Sequence, residues 1–104
     1  MKRRKRQTNG IKRLIRVLRD SLPEFGRRYG VKALGLFGSR VNGSPKRRSD
    51  LDILVEFRRA PTLLEFVAME RELGELLEVK VDLVMKSALK PEIGRRILAQ
   101  VVPV

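Results

Sequence analysis

The 104-residue chain contains no cysteine and no histidine. Disulfides, zinc sites built on thiolate or imidazole, and nucleophilic mechanisms resting on Cys or His are therefore excluded. Any chemistry falls to carboxylates, hydroxyls and cations. Aromatic residues make up only 5% of the chain, which leaves no evident platform for stacking bases. No apolar run approaches the roughly 20 residues of a membrane span, and the basic N-terminus is not followed by a signal-like apolar core. The expectation is a soluble, cytoplasmic protein with no membrane association. Acid is also missing where the chain starts: residues 1–19 hold nine Lys and Arg and neither Asp nor Glu.

What is present is an excess of positive charge. Lys and Arg number 24 against 12 Asp and Glu, a formal net charge of +12, so an anionic ligand or partner is expected. The length suits one domain with one core. Residues 1–10 read as a basic, mobile tail, and residues 11–104 as a single domain. Ile11, Leu14, Ile15 and Leu18 follow helical spacing, and Thr8 or Asn9 can cap that helix. Ser21-Leu22-Pro23-Glu24 has the pattern of a capping box with proline in the first turn, which predicts a break near residues 20–22 and a second helix ending near Gly30.

Beyond Gly30 the pattern turns to strands. Val31–Phe37 and Asp50–Phe57 read as the first two, and Val79–Val84 as a third. Between the second and third, Thr62-Leu63-Leu64-Glu65 is a capping box opening an amphipathic helix. Gly74 within that helix suggests either close approach to another backbone or a weak last turn. Pro91 suits the first turn of a last helix with Ile93, Ile97 and Leu98 as its apolar stripe. Val101-Val102-Pro103-Val104 is too apolar for a solvated tail and is expected to pack on the domain or on a partner. Tyr29 reads as a packing residue beside the first strand.

The informative stretch lies between the first two strands. Alternation along a strand points Asp50 and Asp52 to one side, and Leu51, Ile53 and Val55 to the other. Two carboxylates held about 4 Å apart repel by roughly 4 kcal/mol at an effective dielectric near 20, so the pair calls for a cation or a proton. A divalent cation held by one or two carboxylates with substrate phosphates in its shell answers this, and it implies a phosphate-bearing substrate. Gly38 and Ser39 offer a place for the phosphates, because glycine lets backbone N–H groups approach an anion and serine adds a small hydroxyl. Arg40 is the nearest candidate for direct phosphate contact. Lys46, Arg47 and Arg48 read either as a solvated basic loop or as cations that steer an anion inward. Asp82, alone among apolar neighbours in the third strand, becomes a third carboxylate if that strand lies beside the second, suited to bind metal or take a proton from an attacking hydroxyl.

Gly38-Ser39, ten intervening residues, and Asp50-Leu51-Asp52, flanked by Gly-Leu-Phe and Ile-Leu-Val, resemble the signature of the minimal nucleotidyltransferase (MNT) domains of the DNA polymerase beta-like superfamily. The resemblance covers the chain from about Ile11 onward. It implies an α+β fold, a small mixed β-sheet with helices packed on one face, as in polymerase beta-like nucleotidyltransferases. It also implies Asp50, Asp52 and Asp82 as catalytic, metal-binding carboxylates, with Gly38 and Ser39 at the nucleotide phosphates. One or two Mg²⁺ ions and ATP as substrate are the implied cofactor and donor. A stand-alone domain of this kind resembles the antitoxin half of HEPN/MNT toxin–antitoxin pairs, which implies transfer of AMP to a tyrosine of a HEPN-type toxin partner.

Two other readings stay open. A nucleic-acid-binding module would account for the basic N-terminus, and a catalytically silent subunit would neutralise a partner by contact alone. The intact Gly-Ser and three-acid set speaks against silence.

Overall fold

The structure, a computed structural model, describes residues 5–38 and 50–104. Ser39, Arg40 and the basic stretch Lys46, Arg47 and Arg48 lie outside the described residues. The described elements are α1 (Lys5–Tyr29), β1 (Val31–Phe37), β2 (Leu51–Phe57), α2 (Leu63–Leu77), β3 (Val81–Met85), a 3-10 turn (Lys86–Ala88), α3 (Pro91–Gln100) and β4 (Val102–Pro103). The four strands form one sheet in the order β3-β2-β1-β4. β1 runs antiparallel to β2 and β4, while β2 and β3 are parallel, so the sheet is mixed.

One face of this sheet carries the core. Leu51, Ile53 and Val55 of β2 and Val81 and Leu83 of β3 pack with Leu14, Leu18, Phe25 and Tyr29 of α1 and Met69, Leu73 and Leu77 of α2. Strict alternation would put Val31 of β1 on the face opposite Leu34 and Leu36. The register slips between Val31 and Ala33, an irregularity that inserts one residue and brings all three into the same core.

Helix α1 corrects two expectations. It is already helical at Lys5 rather than opening behind a cap at Thr8 or Asn9, and its 25 described residues run through Pro23 with no break near residues 20–22. The reason is visible in its buried side: Leu14, Leu18, Phe25 and Tyr29 continue one stripe across the proline, with Leu22 half-buried between them. Proline inside a helix costs about 3 kcal/mol, whereas burying each large apolar side chain contributes about 1.5–3 kcal/mol. Phe25 and Tyr29 together outweigh the proline, whose ring sits on the exposed side.

Helix α2 forms as its sequence predicts. The Thr62 side chain accepts from the Glu65 N–H, and the Glu65 carboxylate accepts from the Thr62 N–H. At its other end Glu78 is left-handed, with φ 58°. Gly74 makes the close approach: a Cβ there would stand 3.3 Å from the Val79 carbonyl, and the Val79 N–H donates to the Gly74 carbonyl at 3.2 Å.

The C-terminal segment packs on the domain. β4 adds to the β1 edge, and the Val104 N–H donates to the Leu34 carbonyl at 2.9 Å. Gly35 permits this, since a Cβ there would stand 2.6 Å from Val101 Cγ2. The expected stripe on α3 does not become core: Ile93 and Leu98 are exposed and Ile97 is half-buried, while Gly94 rests against Leu89.

Candidate active site

The parallel register of β2 and β3 sets Asp52 directly opposite Asp82. Their neighbours Leu51, Ile53, Val81 and Leu83 are fixed in the core, so alternation turns both carboxylates to the other face of the sheet. This was the condition on which Asp82 depended, and the third strand meets it, although the strand begins at Val81 instead of Val79.

Asp52 is half-buried and Asp82 exposed. Burial pushes the Asp52 carboxyl above the ordinary carboxylate range; the charges of Asp82 and then Asp50 push it further, and a side-chain hydrogen bond with Asp82 acts in the same direction. Among the described residues, desolvation and like charge act on Asp52 and no cation offsets them. Asp50 lies one residue before β2 and is half-buried; it is placed closely enough to act on Asp52 by charge. Among the described residues, no group of three acids converges tightly enough to form a complete metal cage.

Gly38 meets this pair from the β1 side. β1 and β2 end in register at Phe37 and Asp52, so the next residue, Gly38, passes over the carboxylate. Its φ of +91° is one that residues with a Cβ rarely adopt, and a Cβ built there would overlap Asp52 Oδ2. The glycine is thus required twice, for its backbone angle and for the space of the acid beside it. The structure brings together Gly38, Asp52 and Asp82, with Asp50 acting on Asp52 at the margin; Ser39 and Arg40 fall outside the described residues.

The donor set is all hard oxygen. A cation that takes one or two carboxylates and completes its shell with substrate phosphates and water fits two facing acids with a third nearby. Repulsion within the pair would favour binding of such a cation.

Sequence reading missed a positioning residue. Glu70 of α2 accepts a hydrogen bond from the Leu83 N–H at 2.8 Å, tying the edge strand β3 to α2 one residue after Asp82. Only the spacing of Glu70 one residue after Met69 hints at its place near the core boundary. Its partner lies 13 residues on, and the pairing depends on how α2 packs against β3.

A second polar cluster was also not foreseen. Arg28 donates to both Glu72 oxygens, at 2.7 and 3.1 Å, and the Tyr29 hydroxyl donates to the same carboxylate at 2.9 Å. The Arg28 guanidinium lies 4.9 Å from the centre of the Tyr29 ring, which in turn stacks on Phe25. Tyr29 is therefore a packing residue that ties α1 to α2. The hydrogen bond from Arg28 holds Glu72 below its ordinary range, with Tyr29 helping and burial opposing. Burial, followed by the hydrogen bond to Glu72, raises the Tyr29 phenol.

Comparison with known proteins agrees with this fold. The sequence pattern of the nucleotidyltransferase domain family matches residues 15–102. A protein of Thermococcus cleftensis named protein adenylyltransferase MntA is 49% identical over 79 residues, which cover 76% of this chain and 80% of that protein. A solved structure provisionally described as a minimal nucleotidyltransferase superposes with a TM-score of 0.72 at 32% identity, covering 86% of this chain and 91% of the other. A second, described as a toxin–antitoxin with AMP-PNP, gives a TM-score of 0.66 at 25% identity over 88% of this chain and 69% of that one.

Proposed function

The chain belongs to the nucleotidyltransferase domain family, and from that premise we propose that it transfers AMP from ATP to a tyrosine hydroxyl of a HEPN-type toxin partner and so acts as its antitoxin. The observation that carries the reading is the Asp52 carboxylate, set between its register partner Asp82 and the cleared space at Gly38. The donor and the class of acceptor follow the Thermococcus relative, whose name is protein adenylyltransferase, and the related toxin–antitoxin structure with AMP-PNP.

In this reading the Gly38 turn, with Ser39 and Arg40 beyond it, receives the triphosphate. A backbone without a side chain lets phosphate oxygens come close to N–H groups. The acceptor hydroxyl attacks the α-phosphorus, a new O–P bond forms, and pyrophosphate leaves with the electrons of the broken bond. Asp82, the more exposed member of the pair, would accept the proton that the hydroxyl releases. Asp52 and Asp82, with Asp50, would hold Mg²⁺, one ion or two, which when bound neutralises charge on the attacking and leaving oxygens. Glu70 keeps Asp82 in register through β3. The net charge of +12 favours arrival of a polyanionic nucleotide.

The test supplies the full chain with ATP labelled at the α-phosphate, Mg²⁺, and the protein encoded by the adjacent open reading frame. Label should move to that partner and be lost when its acceptor tyrosine is changed to phenylalanine, and Asp52→Asn should abolish transfer. Label remaining entirely in ATP with the wild-type pair contradicts the proposal.

A further inference from the structure

We propose that the outer face of α1 is a binding surface for the phosphate backbone of nucleic acid, separate from the carboxylate site. Lys12, Arg13, Arg16 and Arg19 are all exposed on this 25-residue helix, which is about 37 Å long. At 100° per residue, Lys12, Arg16 and Arg19 fall along one line and Arg13 lies beside it, on the side away from Leu14 and Leu18.

Among the described residues, three of these cations make no ion pair. The ion pairs among the described residues involve Arg27, Arg28, Lys32 and Lys86, and none includes Lys12, Arg13 or Arg16. The segments outside the described residues contain no Asp or Glu that could pair with them. Arg19 is tethered, with Nε donating to the Val104 carbonyl at 3.3 Å. Three cations without an ion pair among the described residues therefore stand within about one turn and a half, where an outside anion would relieve their mutual repulsion. Asp20 is the first acid the stripe meets, at its far end.

The chemistry of the face selects among anionic partners. A helix that lies on a membrane must offer an apolar side to the lipid. The apolar side of α1 is spent in the core, where Leu14, Leu18, Phe25 and Tyr29 are buried. Two of these three cations are arginines, whose guanidinium forks match phosphate oxygens. Tyr29 and Phe25 are enclosed, so this face offers no ring for stacking on unpaired bases. What remains is charge contact with the backbone of a duplex, with little preference for sequence.

The experiment measures binding of the full chain to a labelled RNA duplex and a DNA duplex of matching sequence across a salt series, beside phosphatidylserine vesicles and polyglutamate. The proposal expects duplex binding that weakens steeply with salt. In Lys12→Gln/Arg13→Gln/Arg16→Gln, affinity should fall at least tenfold, and the slope of log K against log salt should become shallower by about 2.7, from about 0.9 per lost phosphate contact. ATP binding should be unchanged in that variant. Lys12→Arg/Arg13→Lys/Arg16→Lys should restore binding, which separates loss of charge from loss of fold. The ratio of RNA to DNA affinity then identifies which polymer supplies the phosphates. No duplex binding, duplex binding that survives the glutamine changes, or vesicles or polyglutamate bound as tightly as the duplexes would overturn the assignment.

Discussion

The corner formed by Asp50, Asp52 and Asp82 and the clasp formed by Arg28, Tyr29 and Glu72 use similar side chains to opposite ends. At the corner, burial and like charge raise the Asp52 carboxyl; at the clasp, the Arg28 hydrogen bond lowers that of Glu72. The clasp lowers the energy of the fold by itself. The corner raises it, and a proton or a bound cation would relieve the strain. A cluster of carboxylates held together at a cost to folding is what a binding or reacting site looks like, whereas the clasp reads as architecture. The two should therefore separate cleanly when broken.

The largest expected effect is at the corner. Asp52→Asn should abolish nucleotide transfer while leaving the melting temperature of the metal-free protein unchanged or higher, because it removes like-charge repulsion; parallel transfer and thermal unfolding measurements check both halves. Gly38→Ala comes next. A residue with a Cβ at φ +91° costs about 1–2 kcal/mol, and the new methyl must also displace the Asp52 carboxylate, so both stability and transfer should drop. Urea unfolding and steady-state transfer read the two losses separately.

Breaking the clasp should do the reverse. Tyr29→Phe removes the hydroxyl that donates to Glu72 and should cost about 1 kcal/mol in urea unfolding, with transfer unaltered. The smallest effect is in acid. A carboxyl whose folded pKa is lowered adds stability that is present above its unfolded pKa and is lost as pH falls through the folded one. Glu72 is lowered, so the clasp should hold at neutral pH and weaken in the acid range below ordinary carboxylate titration. The wild-type melting temperature should fall there more steeply than that of Glu72→Gln.

How much of this was legible in the sequence depends on the range of each interaction. The Thr62–Glu65 box and the bounds of β1 were readable because they follow from adjacent residues. The facing of Asp52 and Asp82 was readable as a condition: alternation fixed which side each acid takes, and only the sheet order could place the strands together. Pro23 misled because Ser21-Leu22-Pro23-Glu24 carries a sound local start signal, and the competing burial of Phe25 and Tyr29 against the sheet is not local. Ile93 and Leu98 misled for the same reason in reverse, since helical spacing shows that a stripe exists and says nothing of what covers it. The clasp was invisible because Arg28 and Glu72 are 44 residues apart and meet only through helix packing.

The most direct test of the central claim, that two neighbouring strands and a glycine turn assemble the reacting carboxylates, is the rate of transfer from labelled ATP by Asp82→Asn, measured beside its melting temperature. The account predicts a loss of at least about 100-fold in rate, the scale of a removed general base, with no loss of stability, since Asp82 is exposed. Transfer within twofold of wild type would contradict it.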